Sequence, residues 1–227
     1  MTTLITHQIR RVFHNPSPYT LLTMYKLYVL PHFNYLAPVW YSPSTSVTQL
    51  CTLEKIQWRF IKRLSPAASE PFDCPHCAIH SLKIFSIQRR LDRSSLLLLN
   101  DMRTNRLKQP RTPLVTFTLH PRRGYQAKYN GNMNIYSTWR DHHPLYHAIS
   151  MYNLLPSHIT NPTSPNPPPF KTLLDTFLRT LPDYPQPLNR NCSSPFSSNS
   201  LFTILQQFPT LQSSQSLRFS TQCVNGV

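Results

Sequence analysis

Apolar side chains recur at spacings of three and four residues through most of the chain, which is the period of amphipathic helices. The clearest helix is predicted for residues 46–64, where "PSTS" supplies N-cap hydroxyls and Pro66 follows the last turn. Its predicted buried positions are Leu50, Leu53, Ile56, Phe60, Ile61 and Leu64. The same spacing predicts further helices over residues 2–14, from residue 19 onward, and over residues 78–102, 144–156 and 170–181.

Proline and loss of helical phase separate these helices. Pro31 removes a backbone donor, so it predicts a bend or break in the second helix. Residues 109–136 lack clear helical phase, and "LVTFTL" at 114–119 alternates like a short strand. The run "NPTSPNPPP" at 161–169 predicts a polyproline-II spacer.

The fold class expected from these patterns is mainly α: an irregular bundle of amphipathic helices with Pro-rich linkers and a disordered C-terminal tail. The tail is predicted because residues 182–227 are rich in Pro, Ser, Gln and Asn. We expect a helical region over residues 1–108, a smaller helical region with irregular connections over 109–181, and the tail over 182–227.

Composition narrows the classes of protein. The 227 residues include 23 prolines and 3 glycines, which argues against tight hairpins, a β-rich fold or a glycine-rich phosphate loop. No apolar run reaches the roughly 18 residues of a membrane-spanning helix. The 5 cysteines are odd in number and scattered, so reduced thiols in the nucleus or cytoplasm are expected rather than a secreted disulfide framework. The Arg-bearing, acid-free N-terminus leaves a mitochondrial presequence as an alternative.

The charge balance is strongly basic. There are 23 Lys and Arg against 8 Asp and Glu, a formal net charge of +15. Such a field favours polyanionic partners, with nucleic acid first and an anionic membrane surface second. The alternative is a generally basic protein that has no specific ligand.

Two groups of cations are the candidate nucleic-acid-binding residues, because each group shares a predicted helix face. They are Lys55, Arg59, Lys62 and Arg63 in the first group, and Arg89, Arg90 and Arg93 in the second. Contacts of this kind are made to backbone phosphates and carry no sequence information. Trp58, in the first helix, is expected to pack in the core rather than to stack on a base.

Cysteine and histidine motifs offer weaker alternatives. "CPHC" at 74–77 is similar to the motif of thiol–disulfide oxidoreductases, but no strand leads into it. Zinc would have Cys74, Cys77 and His80 as three ligands and no evident fourth. "RDHHPLYH" contains His142, His143 and His147, which we expect to be surface residues. No metal site and no cofactor are therefore predicted.

One segment carries a family resemblance. "LLTMYKLYVLPHFNYLAPVW" at 21–40 resembles a segment just downstream of the reverse transcriptase palm in non-LTR retrotransposons of the LINE or jockey type. The matching positions are Tyr25, Lys26, Val29, Pro31, His32, Tyr35, Pro38, Val39 and Trp40. The stretches "LEKIQWRFIKRL" at 53–64, "SIQRRLDRSSLLLL" at 86–99 and "MYNLLP" at 151–156 are similar to later family elements, in the family's order. Phe170 and Lys171 match the opening of the last family helix.

This resemblance implies a C-terminal fragment of an RNA-directed DNA polymerase, comprising the thumb and the region downstream of the thumb. Nucleotidyl transfer needs paired carboxylates holding two metal ions, and the sequence contains no Asp-Asp pair. The fragment is thus expected not to be an enzyme on its own, with Mg²⁺ needed only by the missing palm. The acidic residues that are present are expected to balance the charge of nearby cations, as Asp92 does beside Arg93 and Asp101 near Arg103.

The expected partners are RNA or DNA backbone, bound independently of sequence, and the missing polymerase domain, with no membrane. The alternative reading is a helical module that binds a protein or RNA without enzymatic activity. A small thiol or zinc protein built around Cys74 and Cys77 is a third hypothesis.

Overall fold

The fold is described by a computed structural model for residues 11, 17–64, 75–111, 113–130, 142–185 and 199–214. Within these residues the chain is mostly helical with one two-stranded sheet, which confirms the predicted mainly-α class. In chain order the elements are α1 (Pro18–Met24), a π-helical turn (Tyr25–Val29), α2 (Leu30–Asn34), α3 (Ala37–Trp40), α4 (Val47–Leu64), α5 (Pro75–Ser81), α6 (Ile87–Arg103), β1 (Val115–His120), β2 (Gly124–Tyr129), α7 (Pro144–Leu154), α8 (Ser157–Thr160), α9 (Phe170–Thr180) and α10 (Leu201–Ser214). The helix predicted over 2–14 lies outside the described residues, Arg11 excepted.

The chain divides into two compact units, and both are discontinuous in sequence. Unit 1 comprises Met1–Ala37, Thr45–Leu91 and Asp183–Asn199. Unit 2 comprises Pro38–Ser44, Asp92–Pro182 and Ser200–Val227. The division expected after residue 181 lies within one residue of the boundary between Pro182 and Asp183, whereas no unit boundary lies near residue 108.

Helix α4 begins within one residue of its predicted start. The Ser46 hydroxyl accepts from the Thr48 N–H at 3.2 Å, and the Gln49 side chain accepts from the Ser46 N–H at 3.2 Å. This reciprocal capping box satisfies two donors that the first turn would otherwise leave unpaired. Of the predicted stripe, Leu50, Phe60 and Ile61 are buried.

The helix changes its hydrogen-bond pattern next to Pro31. The Leu30 N–H donates to the Tyr25 carbonyl five residues back, so the chain widens into a π-helical turn just before the proline. Pro31 itself lies in the first turn of α2. A backbone N–H in the first turn has no acceptor within the helix, so the N–H that proline lacks costs little there. The helical path therefore continues through Pro31, with one wider turn before it.

The helix predicted over 78–102 is in fact two helices. Lys83 adopts a left-handed φ of +52°, and the Ile84 N–H donates to the Ile79 carbonyl at 3.0 Å, which closes the end of α5. Ser86 then begins α6, since its hydroxyl accepts from the Arg89 N–H at 3.2 Å. Apolar periodicity continues across the break because Ile84 and Ile87 are both buried.

The core of unit 1 forms around α4. Tyr25 stacks on Phe60 with ring centroids 4.4 Å apart, and its hydroxyl donates to the Gln57 side-chain oxygen at 2.8 Å. Trp58 and Ile61 pack against apolar residues of α5 and of the segment that follows it. Trp58 is thus a core residue, as the sequence predicts.

Unit 2 contains an antiparallel hairpin that the scarcity of glycine argues against. The predicted strand at 114–119 is confirmed as β1, and β2 pairs with it from Val115↔Tyr129 to His120↔Gly124. Gly124 follows the three-residue loop with φ of +68°, a conformation that L side chains rarely adopt. One of the three glycines is therefore enough to build the turn.

Helices α7 and α10 belong to unit 2. The Asn153 side chain donates to and accepts from the Ala127 backbone at 3.0 and 2.8 Å, which fixes α7 to β2. Helix α10 lies inside the predicted disordered tail, so that prediction is wrong for residues 201–214. Leu201, Ile204 and Leu205 recur at helical spacing and are buried, which the Ser- and Gln-rich surroundings obscured.

Candidate nucleic-acid interface

The exposed side of α4 is a stripe of hydroxyls and cations. Its residues recur at spacings of three and four, and all five are exposed: Thr48, Thr52, Lys55, Arg59 and Lys62. We call Lys55, Arg59 and Lys62 the α4 cations. They span about 10 Å along the helix axis, from a rise of about 1.5 Å per residue. A polyanionic strand would meet three positive side chains in a row.

The single acid of α4 does not offset these charges. Glu54 is buried on the inner side of the helix, and its Oε1 accepts from the Gln88 N–H at 3.2 Å. Burial, followed by the nearby negative charge of Asp183, raises the pKa of the Glu54 carboxyl to about 8. At pH 7 the carboxyl is mostly protonated, so it adds little negative charge to the helix.

Two further residues of this helix bear on the stripe. The Lys62 ammonium lies 5.3 Å from the centroid of the Trp58 ring, a cation–π contact that orients the lysine. The sequence placed Arg63 on the same face; its backbone belongs to α4, but its side chain lies outside the described part of the structure.

The second predicted group of cations does not form an exposed face. Arg89 is buried, with 0% of its surface exposed, and Arg90 is half-buried. Arg93 forms a two-point ion pair with Asp175. The expected outward face is thus wrong for Arg89, because the first turns of α6 are covered on nearly all sides. Periodicity alone could not indicate this.

The acids also have different partners from those expected. The buried Asp92 does not pair with its neighbour Arg93; its Oδ2 accepts from the Leu201 N–H at 2.8 Å, and its Oδ1 lies 3.6 Å from His147 Nε2. Asp101 lies 3.9 Å from Arg106. Leu201 and His147 are distant from Asp92 in sequence, so no local pattern could reveal these contacts.

The structure covers the cysteine candidates only in part. Cys74 lies outside the described residues, and Cys77 is half-buried. In the part of the chain that the structure describes, no three His, Cys, Asp or Glu side chains are grouped as metal ligands.

The three histidines of "RDHHPLYH" differ in environment. His142 is exposed, as expected. His143 caps α7 by accepting from the Leu145 N–H at 3.2 Å, and burial lowers the pKa of its imidazole. The surface prediction is wrong for His147, which is buried beside Asp92.

Two arginines of unit 2 were not predicted as candidates from the sequence. Arg122 and Arg123 occupy the loop between β1 and β2, are exposed, and line a cleft of 370 Å³. Their adjacency was visible in the sequence, but they belong to no helix face, and only the hairpin gives them a fixed position.

Comparison with protein-family models, with curated proteins and with solved structures finds no match. Among the described residues, no helix has the length and apolar character needed to cross a bilayer.

Proposed function

We propose that this protein binds nucleic acid through backbone phosphates, independently of sequence, and that the α4 cations make the contacts. The observation that carries the proposal is the arrangement of charge on α4. Three cations share an exposed stripe, and the only acid of the helix is buried and mostly uncharged at pH 7. Phosphate contacts of this kind supply sequence-independent affinity that weakens with salt.

The resemblance places this function in context. We infer that the chain corresponds to the region downstream of the palm in a non-LTR retrotransposon reverse transcriptase, acting in the nucleus or cytoplasm. With no Asp-Asp pair in the sequence, the chain holds duplex or template while a separate palm, with its Mg²⁺, performs the chemistry. Translation of the DNA upstream of Met1 tests this inference, since an aromatic-x-Asp-Asp turn is expected there.

Salt dependence tests the phosphate contacts. The triple variant Lys55→Gln, Arg59→Gln, Lys62→Gln removes the α4 cations from exposed positions, so the fold should be retained. The affinity for a mixed-sequence duplex is measured by fluorescence anisotropy at several salt concentrations. Each lost phosphate contact should reduce the slope of log K against log[salt] by about 0.9.

A matched control removes the same charge elsewhere. Arg111, Lys171 and Arg179 are also exposed, and changing all three to Gln lowers the net charge equally. This control is expected to keep most of the wild-type slope. An equal loss in both triple variants would show that net charge, rather than the α4 stripe, governs binding.

A second candidate, a protein-interaction module, is favoured by an apolar surface on unit 1. Leu27, Tyr28 and Leu36 are all more than half exposed. Tyr25 attaches the π-helical turn to the Gln57 and Phe60 side of α4, which lies roughly opposite the α4 cations around the helix. This candidate predicts salt-insensitive binding to one protein that is lost in Leu27→Ser and kept in the α4 triple variant.

A further inference from the structure

The cleft beside Arg122 and Arg123 is built by the end of the hairpin and by the connection between α7 and α8. Six residues line its 370 Å³: Arg122, Arg123, Asn153, Leu154, Leu155 and Ser157. This volume falls in the range of about 300–1,000 Å³ that small-molecule sites occupy. All six belong to unit 2.

The arginine loop is held in place by its own backbone. The Arg122 N–H donates to His120 Nδ1 at 3.3 Å, and the Arg123 N–H donates to the His120 carbonyl at 3.3 Å. A Cβ on Gly124 would lie 2.7 Å from Thr160 Oγ1 and 3.6 Å from the Ser157 Cα, so the hairpin end packs directly on α8. These contacts hold the backbone of Arg122 and Arg123 close to Ser157, which also lines the cleft.

A second set of contacts holds α8 and β2 together near the cleft. The Arg103 guanidinium donates to the Thr160 carbonyl at 3.1 Å and lies 5.0 Å from the centroid of the Tyr125 ring. With the Asn153 bonds to Ala127, this ties α7, α8 and β2 together. Preorganisation of this kind lowers the entropic cost of binding.

The chemistry of the lining is mixed in a way that selects a ligand class. Two guanidinium groups and the Ser157 hydroxyl are donors suited to phosphate oxygens. Leu154, 39% exposed, and Leu155 supply an apolar wall. Arg122 and Arg123 are both exposed, and within the described ranges of the chain no ion pair engages either of them. An anion with an attached apolar or ring portion fits both sides.

We infer that this cleft binds a phosphate monoester joined to a nucleoside-sized group, supplied either by the phosphorylated end of a nucleic-acid strand or by a free nucleotide. The guanidinium groups of Arg122 and Arg123 take the phosphate oxygens, and the Leu154 side contacts the sugar or base. The site uses none of the α4 cations, so binding there does not require duplex binding at α4.

Paired ligands that differ by one phosphate test the site. Wild-type protein is titrated with a 5′-phosphorylated and a 5′-hydroxyl hexathymidylate, and separately with AMP and adenosine. The phosphorylated oligonucleotide should bind about tenfold more tightly than its hydroxyl counterpart, because two arginine contacts to phosphate are lost without it. Competition by AMP would assign the site to free nucleotides as well, whereas failure of AMP to compete would assign it to strand ends.

Variants locate the effect. Arg122→Gln with Arg123→Gln should reduce the ratio between phosphorylated and hydroxyl ends to about one. The control, Lys108→Gln with Lys128→Gln, removes the same charge from exposed positions outside the cleft and should keep the ratio. The α4 triple variant should also keep it while losing salt-dependent duplex binding, so the two proposals fail separately. Equal binding of the two ends by wild-type protein, or equal loss in the control, would overturn the inference.

Discussion

Arg93 on α6 and Asp175 on α9 are 82 residues apart in sequence and meet in a two-point ion pair. Arg93 Nη2 donates to Asp175 Oδ2 at 2.8 Å, and Nε donates to Oδ1. The side chains are 18% and 28% exposed, so water screens the pair only in part. Arg93, which the sequence predicts to bind nucleic acid, therefore connects α6 to α9.

Replacement of Asp175 by Ala is expected to lower the free energy of unfolding by about 1–3 kcal/mol, because it leaves the half-buried Arg93 without its carboxylate. Urea denaturation measures the change. The double variant Arg93→Met, Asp175→Ala should recover part of the loss. Additive losses in the two single variants would contradict a direct coupling.

The buried carboxyl of Glu54 makes the stability of unit 1 depend on pH. Its pKa is about 8 in the folded protein against an ordinary value of 4.5, so the folded state holds this proton more tightly than the unfolded state. The stability that the proton contributes is complete below about pH 4.5 and is lost as the pH rises through 8. The loss is at most about 1.4 kcal/mol per pH unit.

Glu54→Gln removes this titration while keeping an oxygen that accepts from the Gln88 N–H. We expect the variant to match wild-type stability at pH 5 and to exceed it at pH 9, measured by urea denaturation. Asp101→Asn removes a carboxylate that is 40% exposed and serves as the control, with little change between the two pH values. A parallel decline of Glu54→Gln and wild type above pH 7 would disprove the assignment.

Gly124→Ala is expected to destabilise the hairpin by about 1–3 kcal/mol. The φ of +68° disfavours any L side chain, and the added methyl would meet Thr160 Oγ1 at 2.7 Å. Thermal unfolding checks the loss. In the double variant Gly124→Ala, Thr160→Ala the clash with the Thr160 hydroxyl is removed, whereas the cost of the positive φ remains. If the double variant loses as much stability as the two single variants added together, the clash makes no contribution.

Asp92→Ala should cost about 2–4 kcal/mol, because it removes the carboxylate that accepts from the buried Leu201 N–H at the start of α10. Asp92→Asn keeps an oxygen acceptor, so its loss should be smaller. Hydrogen exchange of α10 amides separates the two variants. Equal protection in both would mean that the contact at 2.8 Å does not hold α10.

Local signals predicted the elements whose partners lie within a few residues. Helix α4 follows from its apolar spacing and from Ser46 and Gln49, which cap it through contacts three residues apart. Helix α9 likewise begins at the predicted residue, Phe170. These elements are encoded by short-range sequence, so a periodic pattern is sufficient to locate them.

Burial and pairing could not be predicted in the same way. Arg89, Glu54 and Asp92 are polar residues that are buried. The hydrogen-bond partners of Glu54 and Asp92 lie 34 and 109 residues away in sequence. The break at Lys83 was missed because the apolar spacing continues on both sides of it. Of the two candidate sites, the α4 cations follow from the helix period, whereas the arginine loop becomes evident only from the hairpin.

Unit 1 includes residues near the C-terminal end of the chain, which are translated late. The Ser86 N–H and hydroxyl, at the start of α6, bond to Asp183 at 2.9 Å and to Asn199 at 3.0 Å. During synthesis on the ribosome, α4 and α6 emerge about a hundred residues before these partners. The bonds at the start of α6 can therefore form only after most of the chain has been made. Truncation after residue 181 would keep every residue of the family resemblance. It would nevertheless remove Asp183 and Asn199, the hydrogen-bond partners of Ser86 at the start of α6.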